Sequence, residues 1–118
     1  MDLQKFEEKI APFYWYWVEY SGYYTLCLDA GDYKSEIFES RYEEGFEGNG
    51  YDWQSLAVVF MDEKMPEIKE DIFQNSEGGT LCLQSRNKVA LEQFALAFKA
   101  ACEDDFLIRD LFSRAELD

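Results

Sequence analysis

Carboxylates crowded among glycines are a combination that can do chemistry, and residues 43–53, EEGFEGNGYDW, hold three glutamates, an aspartate, three glycines and three aromatics. Phosphate cradling, metal binding and acid–base catalysis all use such sets. G-F-E-G-N-G lacks the Lys-[Ser/Thr] of a P-loop and the spacing of a dinucleotide fingerprint, and its glutamates would repel phosphate. A calcium loop needs carboxylates at its first, third and fifth positions and a glutamate at its twelfth, a pattern this segment does not follow, so only an irregular calcium site is left open. The chain has no histidine, which removes the commonest general base near neutral pH and a principal zinc ligand together. Serine, cysteine and zinc-type hydrolases lose their usual partners. A carboxylate pair can run glycoside chemistry, but among 25 acidic residues in 118 any such pair carries no specificity. The chain is therefore read as a non-enzyme, with no metal and no cofactor.

Part of the segment has a structural task. Gly48-Asn49-Gly50 permits positive φ, Asp52 is placed to cap a helix opening at Trp53, and Tyr51 could staple onto Leu56. That leaves Glu43, Glu44, Phe46 and Glu47 as an acidic, aromatic rim, free to meet a partner.

Charge says what kind of partner. Lys and Arg number 11 against 25 Asp and Glu, a formal net charge of -14. Such a field repels nucleic acid and anionic lipid and attracts basic surfaces, although it also serves plain solubility. Hydrophobic residues at 47% of the chain argue for a packed core rather than disorder, and the length suits one domain over residues 1–118. The opening MDLQKFEEKI carries acidic residues where a signal peptide needs basic and then apolar ones, and no apolar run approaches a membrane span. A cytoplasmic location is expected. Cys27, Cys82 and Cys102 form no C-x-x-C pair and each lies among apolar neighbours, so all three are expected as reduced, core-type thiols.

The elements that must carry these residues follow from periodicity. Leu3, Phe6 and Ile10 recur at helical spacing before Pro12. Residues 13–20 alternate Phe13, Trp15, Trp17 and Glu19 with Tyr14, Tyr16, Val18 and Tyr20, and Ser21-Gly22 turns the chain into a second strand, YYTLCLDAG, giving an antiparallel hairpin. A helix is expected from Tyr33 to Glu44, ended by Gly45, and another from Trp53 to just before Pro66, burying Leu56, Ala57, Phe60 and Met61. DIFQNSEGGTLCLQS reads as a second hairpin turning at Glu77-Gly78-Gly79, with Leu81 and Leu83 on one face. A long helix then buries Leu91, Phe94, Ala95, Phe98, Ala101 and Cys102. Asp104 caps a last one burying Leu107, Ile108, Leu111 and Phe112. The order predicts an α+β fold in which two antiparallel hairpins form one sheet covered on one face by helices. The Trp15 and Trp17 face should pack beneath the helices, leaving Tyr14, Tyr16 and Tyr23 on the open face as candidate interface anchors.

The blocks PFYW, GDYKSEIFESR, EEGFEGNGYDWQSLA, FMDEKMPE and FALAFKAACEDDFLIRDLFSRAELD, in this order along nearly the whole chain, resemble the immunity protein 51 family of bacterial polymorphic toxin systems. GFEGNGYDW and LFSRAEL are the most specific of them; the segment before Pro12 matches nothing in the pattern. The resemblance implies a small cytosolic protein, encoded beside a toxin, that binds the toxin's C-terminal catalytic domain and blocks it. A monomer or weak homodimer is expected. A strongly acidic inhibitor would suit a basic nuclease toxin. The alternative is an acidic nucleic-acid mimic that occupies a DNA-binding protein without a dedicated toxin. No site residues come with the resemblance; those named above rest on the physical reading.

Overall fold

The computed structural model describes residues 2–117. Its first helix, α1 (Leu3–Ile10), starts where the Asp2 carboxylate accepts the Lys5 amide at 3.1 Å and turns Phe6 and Ile10 inward. Leu3 stays exposed. β1 (Tyr14–Val18) and β2 (Tyr23–Asp29) then form the expected antiparallel hairpin, with Gly22 at φ 75° donating its amide to the Val18 carbonyl.

The single helix expected from Tyr33 to Glu44 is instead two short pieces: α2 (Ser35–Glu39) and a 3₁₀ turn over Tyr42–Glu44. Two local causes are visible. Lys34 precedes α2 in the left-handed region at φ 53°, and the Ser40 hydroxyl donates back to the Ile37 carbonyl at 2.6 Å, competing with the backbone ladder. Ile37 and Phe38 alone face the core from this stretch of helix. α3 (Gly50–Lys64) begins three residues earlier than the periodicity suggested and ends before Pro66, which opens a 3₁₀ helix over Pro66–Asp71.

The second hairpin joins β3, only Phe73–Gln74, to β4 (Thr80–Ser85). α4 (Lys88–Glu103) is capped by Asn87 and α5 (Asp105–Phe112) by Asp104, whose carboxylate accepts the Leu107 amide at 3.1 Å as expected. In the last helix Ile108, Leu111 and Phe112 are buried and Leu107 half-buried.

The fold is α+β. One open antiparallel sheet runs in the order β1-β2-β4-β3, so the two hairpins join through β2 and β4. Leu26, Leu28, Leu81 and Leu83 face the helices and enter one core with Leu56, Phe60, Leu91, Phe94 and Phe98. Trp53 is its aromatic centre, with Phe38 at 5.1 Å, Phe13 and Phe98 each at 6.2 Å and the Tyr33 ring stacked at 6.1 Å. Edge-to-face and offset pairs of this kind add about 1 kcal/mol each beyond area burial. No helix among the described residues is long and apolar enough to cross a membrane.

Candidate functional site

The segment between α2 and α3 is built around a buried carboxylate. Asp52, 3% exposed, accepts the amides of Glu47 at 2.7 Å and Gly48 at 2.8 Å, closing residues 47–52 into a tight turn. It does not cap α3. That task falls to Asn49, whose side-chain oxygen accepts the Asp52 amide at 2.9 Å, because α3 starts at Gly50 and carries Asp52 inside its first turn. Tyr51, expected as a staple ahead of the helix, is likewise helical and 42% exposed.

The glycines also divide their roles. Gly45 and Gly48 take φ of 110° and 77°. Gly50 does not need positive φ; it needs the absence of a side chain. A Cβ there would stand 2.0 Å from the Glu77 carbonyl oxygen and 2.6 Å from that of Thr80, since the Gly50 amide donates to the Gly78 carbonyl at 3.0 Å and draws the β3–β4 turn against the helix start.

The rim is correspondingly smaller than expected. Phe46 is 1% exposed, packed 4.9 Å from Phe112 and beneath the Arg41 guanidinium at 4.4 Å, so it belongs to the core and presents no face to a partner. Glu43, Glu44 and Glu47 are exposed. Glu44 is engaged bidentately by Arg41 at 2.8 and 2.9 Å, and that pairing holds its carboxyl below the usual range. Arg41 is not among the expected site residues, yet its Nη1 donates to the carbonyls of Phe112 and Ala115 at 2.6 and 2.8 Å, tying the 112–115 segment to the loop. The joining of SEIFESR to LFSRAEL across 71 positions leaves no local signal.

The second group lies on the open sheet face. In-register partners share a face, which places Tyr14, Cys27 and Cys82 in one row and Tyr16, Thr25, Gln84 and Phe73 in the next. Tyr14 and Tyr16 are 41% and 48% exposed; Tyr23 is half-buried. Tyr14 donates to the Asp29 carboxylate at 2.9 Å, and partial burial together with this bond holds its phenol above the ordinary range. Burial likewise raises Tyr16. Tyr23, paired with Val18, lies at the opposite end, about 13 Å along the strand from Cys27, the partner of Tyr14. There it meets Phe73 edge-on at 5.8 Å, with the Arg86 guanidinium 4.8 Å over its ring.

Of the expected buried face, Trp15 conforms, half-buried 4.6 Å from Phe6. Trp17 does not: it is 49% exposed, resting on Tyr24 at 4.4 Å and lining an open hollow with Leu3 and Glu7 of α1 and Lys88 of α4. The exposed Phe73 was also missed, β3 being too short to show alternation. Cys82 is half-buried on the open face rather than in the core, with its sulfur 3.0 Å from that of Cys27.

The two groups are linked at one end of the sheet. Gly50 holds the Gly78 turn, the Gly79 carbonyl accepts the Ala30 amide at 2.9 Å, and Thr80 and Tyr14 both donate to Asp29. The start of α3 and the Tyr14 end of the sheet are therefore joined, with Tyr23 remote from them, while Arg41 holds Glu44 beside the 112–115 segment. Among the described residues, no group of three or more His, Cys, Asp or Glu is placed to hold a metal ion.

The fold is thus of the α+β class, an open four-stranded antiparallel sheet with helices packed on one face. The family model of Immunity protein 51 matches residues 15–117, and the chain belongs to that family. α1 lies ahead of the matched residues. Comparison with curated proteins found no match, and neither did comparison with solved structures.

Proposed function

We propose that the protein is an immunity protein that binds the catalytic domain of a cognate bacterial polymorphic toxin and holds it inactive without catalysis of its own. Membership of the Immunity protein 51 family carries the reading. The net charge of -14 supports a basic partner such as a nuclease domain, whose phosphate-binding surface an acidic protein would occupy. The contact surface in this reading comprises the exposed Glu43, Glu44 and Glu47 of the loop and Tyr14 and Tyr16 of the open sheet face, with Tyr23 at the periphery. In this reading the protein acts in the cytoplasm as a single domain, monomeric or weakly dimeric.

Co-expression with the toxin domain encoded beside its gene tests the proposal. The expected result is restored growth of toxin-expressing cells and a stoichiometric complex on gel filtration. Toxicity that persists while both proteins are soluble, with no complex formed, overturns it. Binding instead to unrelated DNA-binding proteins would favour the nucleic-acid mimic.

A further inference from the structure

Two of the three cysteines have been brought together by strand register. Cys27 and Cys82 are direct partners across β2 and β4, and their sulfurs lie 3.0 Å apart. Facing residues of an antiparallel pair have Cα atoms about 4.5–5.5 Å apart, inside the span of about 4.4–6.8 Å that a disulfide bridges. Both sulfurs are on the face that no helix covers. We infer that Cys27 and Cys82 form a redox-active dithiol site that reacts with small-molecule disulfides of the glutathione type.

The two sulfurs are not equivalent, and the difference sets the order of events. Cys27 is 2% exposed, and burial together with the neighbouring Cys82 thiol pushes it up to about 12, so it is a poor first nucleophile. Cys82 is half-buried and opens to solvent. The Cys82 sulfur attacks one sulfur of the small disulfide, forming a mixed disulfide and expelling one thiolate. The Cys27 sulfur then attacks Cys82 Sγ, forming the Cys27–Cys82 bond and expelling the second thiolate. The two protons leave the protein thiols and end on the two expelled thiolates: the dithiol is oxidised by two electrons and the small disulfide reduced by two. Cys102 is fully buried on α4 and has no thiol partner among the described residues, which makes it an internal control. The inference does not depend on what the protein binds.

The test uses the reduced full-length chain, equilibrated without oxygen in graded mixtures of reduced and oxidised glutathione. It is then acid-quenched, alkylated under denaturing conditions and weighed intact. The expected result is a single transition in which two thiols vanish together with the mass of two hydrogens, one thiol remains alkylatable, and peptide mapping joins Cys27 to Cys82. Cys27→Ser should retain one glutathione on Cys82, and Cys82→Ser none. The wild-type measurement stands alone if a variant fails to fold. Three alkylatable thiols in the most oxidising mixture, a wild-type glutathione adduct that never resolves, a bond involving Cys102, or a disulfide between chains would each overturn the assignment.

Discussion

Asp52 shows how one carboxylate can look functional and be structural. Its oxygen satisfies two backbone donors in the turn before α3, and a buried donor left unpaired costs about 1–3 kcal/mol. Asp52→Ala should therefore destabilise the protein by about 2–4 kcal/mol and Asp52→Asn, which keeps an acceptor, by clearly less. Urea titrations of both variants check this, and equal losses would refute the two-donor account. Gly50 offers a second test at the same scale. Because its difficulty is a carbonyl 2.0 Å from any Cβ rather than its φ, Gly50→Ala alone should cost about 2–3 kcal/mol through overpacking, read as a lowered melting temperature. Gly22→Ala, at positive φ but in open space, should cost only about 1 kcal/mol.

At the scale of the element, the 43–52 loop separates into parts that hold it and parts it displays. Phe46, Gly48 and Asp52 are inside; Arg41 pins Glu44 and the 112–115 carbonyls together; Glu43 and Glu47 project outward. Neutralising Glu43 and Glu47 as the double Gln variant should thus leave the melting temperature nearly unchanged, while slowing association with the toxin domain and flattening its salt dependence. Stopped-flow association at several ionic strengths, beside a thermal melt, checks both halves. A large loss of stability with an unchanged association rate would remove these glutamates from the contact surface.

For the whole molecule, acid stability follows from a few anchored carboxylates. Glu44 is held below its usual range by Arg41, Glu63 and Asp110 by Arg114, and Glu103 chiefly by the Tyr33 hydroxyl. Each is more acidic folded than unfolded, so the folded state binds fewer protons. The stabilisation is complete above the unfolded carboxylate range near ~4.3 and is lost as pH falls through the lowered folded values. The urea midpoint should accordingly drop between about pH 5 and about pH 3. Protonation also relieves repulsion within a chain of net charge -14, which acts the other way, so the measurement belongs at high salt, where that repulsion is screened. A midpoint independent of pH over this interval would show that these pairs contribute nothing.

What the sequence determined by itself is whatever a periodicity of 3.6 or 2 can encode: the inward faces of α3, α4 and α5, the strand alternation with Leu81 and Leu83 turned in, the Asp104 cap, and the acidity of the surface. The ordered sequence blocks also carried the family. Only the tertiary structure decided the rest, because each missed feature depends on a contact between distant segments. Phe46 is buried because Phe112 and Arg41 close over it, and Trp17 is exposed at an open hollow between the sheet and the α1 and α4 residues Leu3, Glu7 and Lys88. Gly50 is constrained by carbonyls of the β3–β4 turn. Cys27 meets Cys82 through the pairing of β2 with β4, and a shift of one residue in that register would turn one of the two sulfurs to the opposite face. Local spacing states which side of an element is apolar; what finally covers that side, and which residues face each other there, is set by packing between elements far apart in the chain.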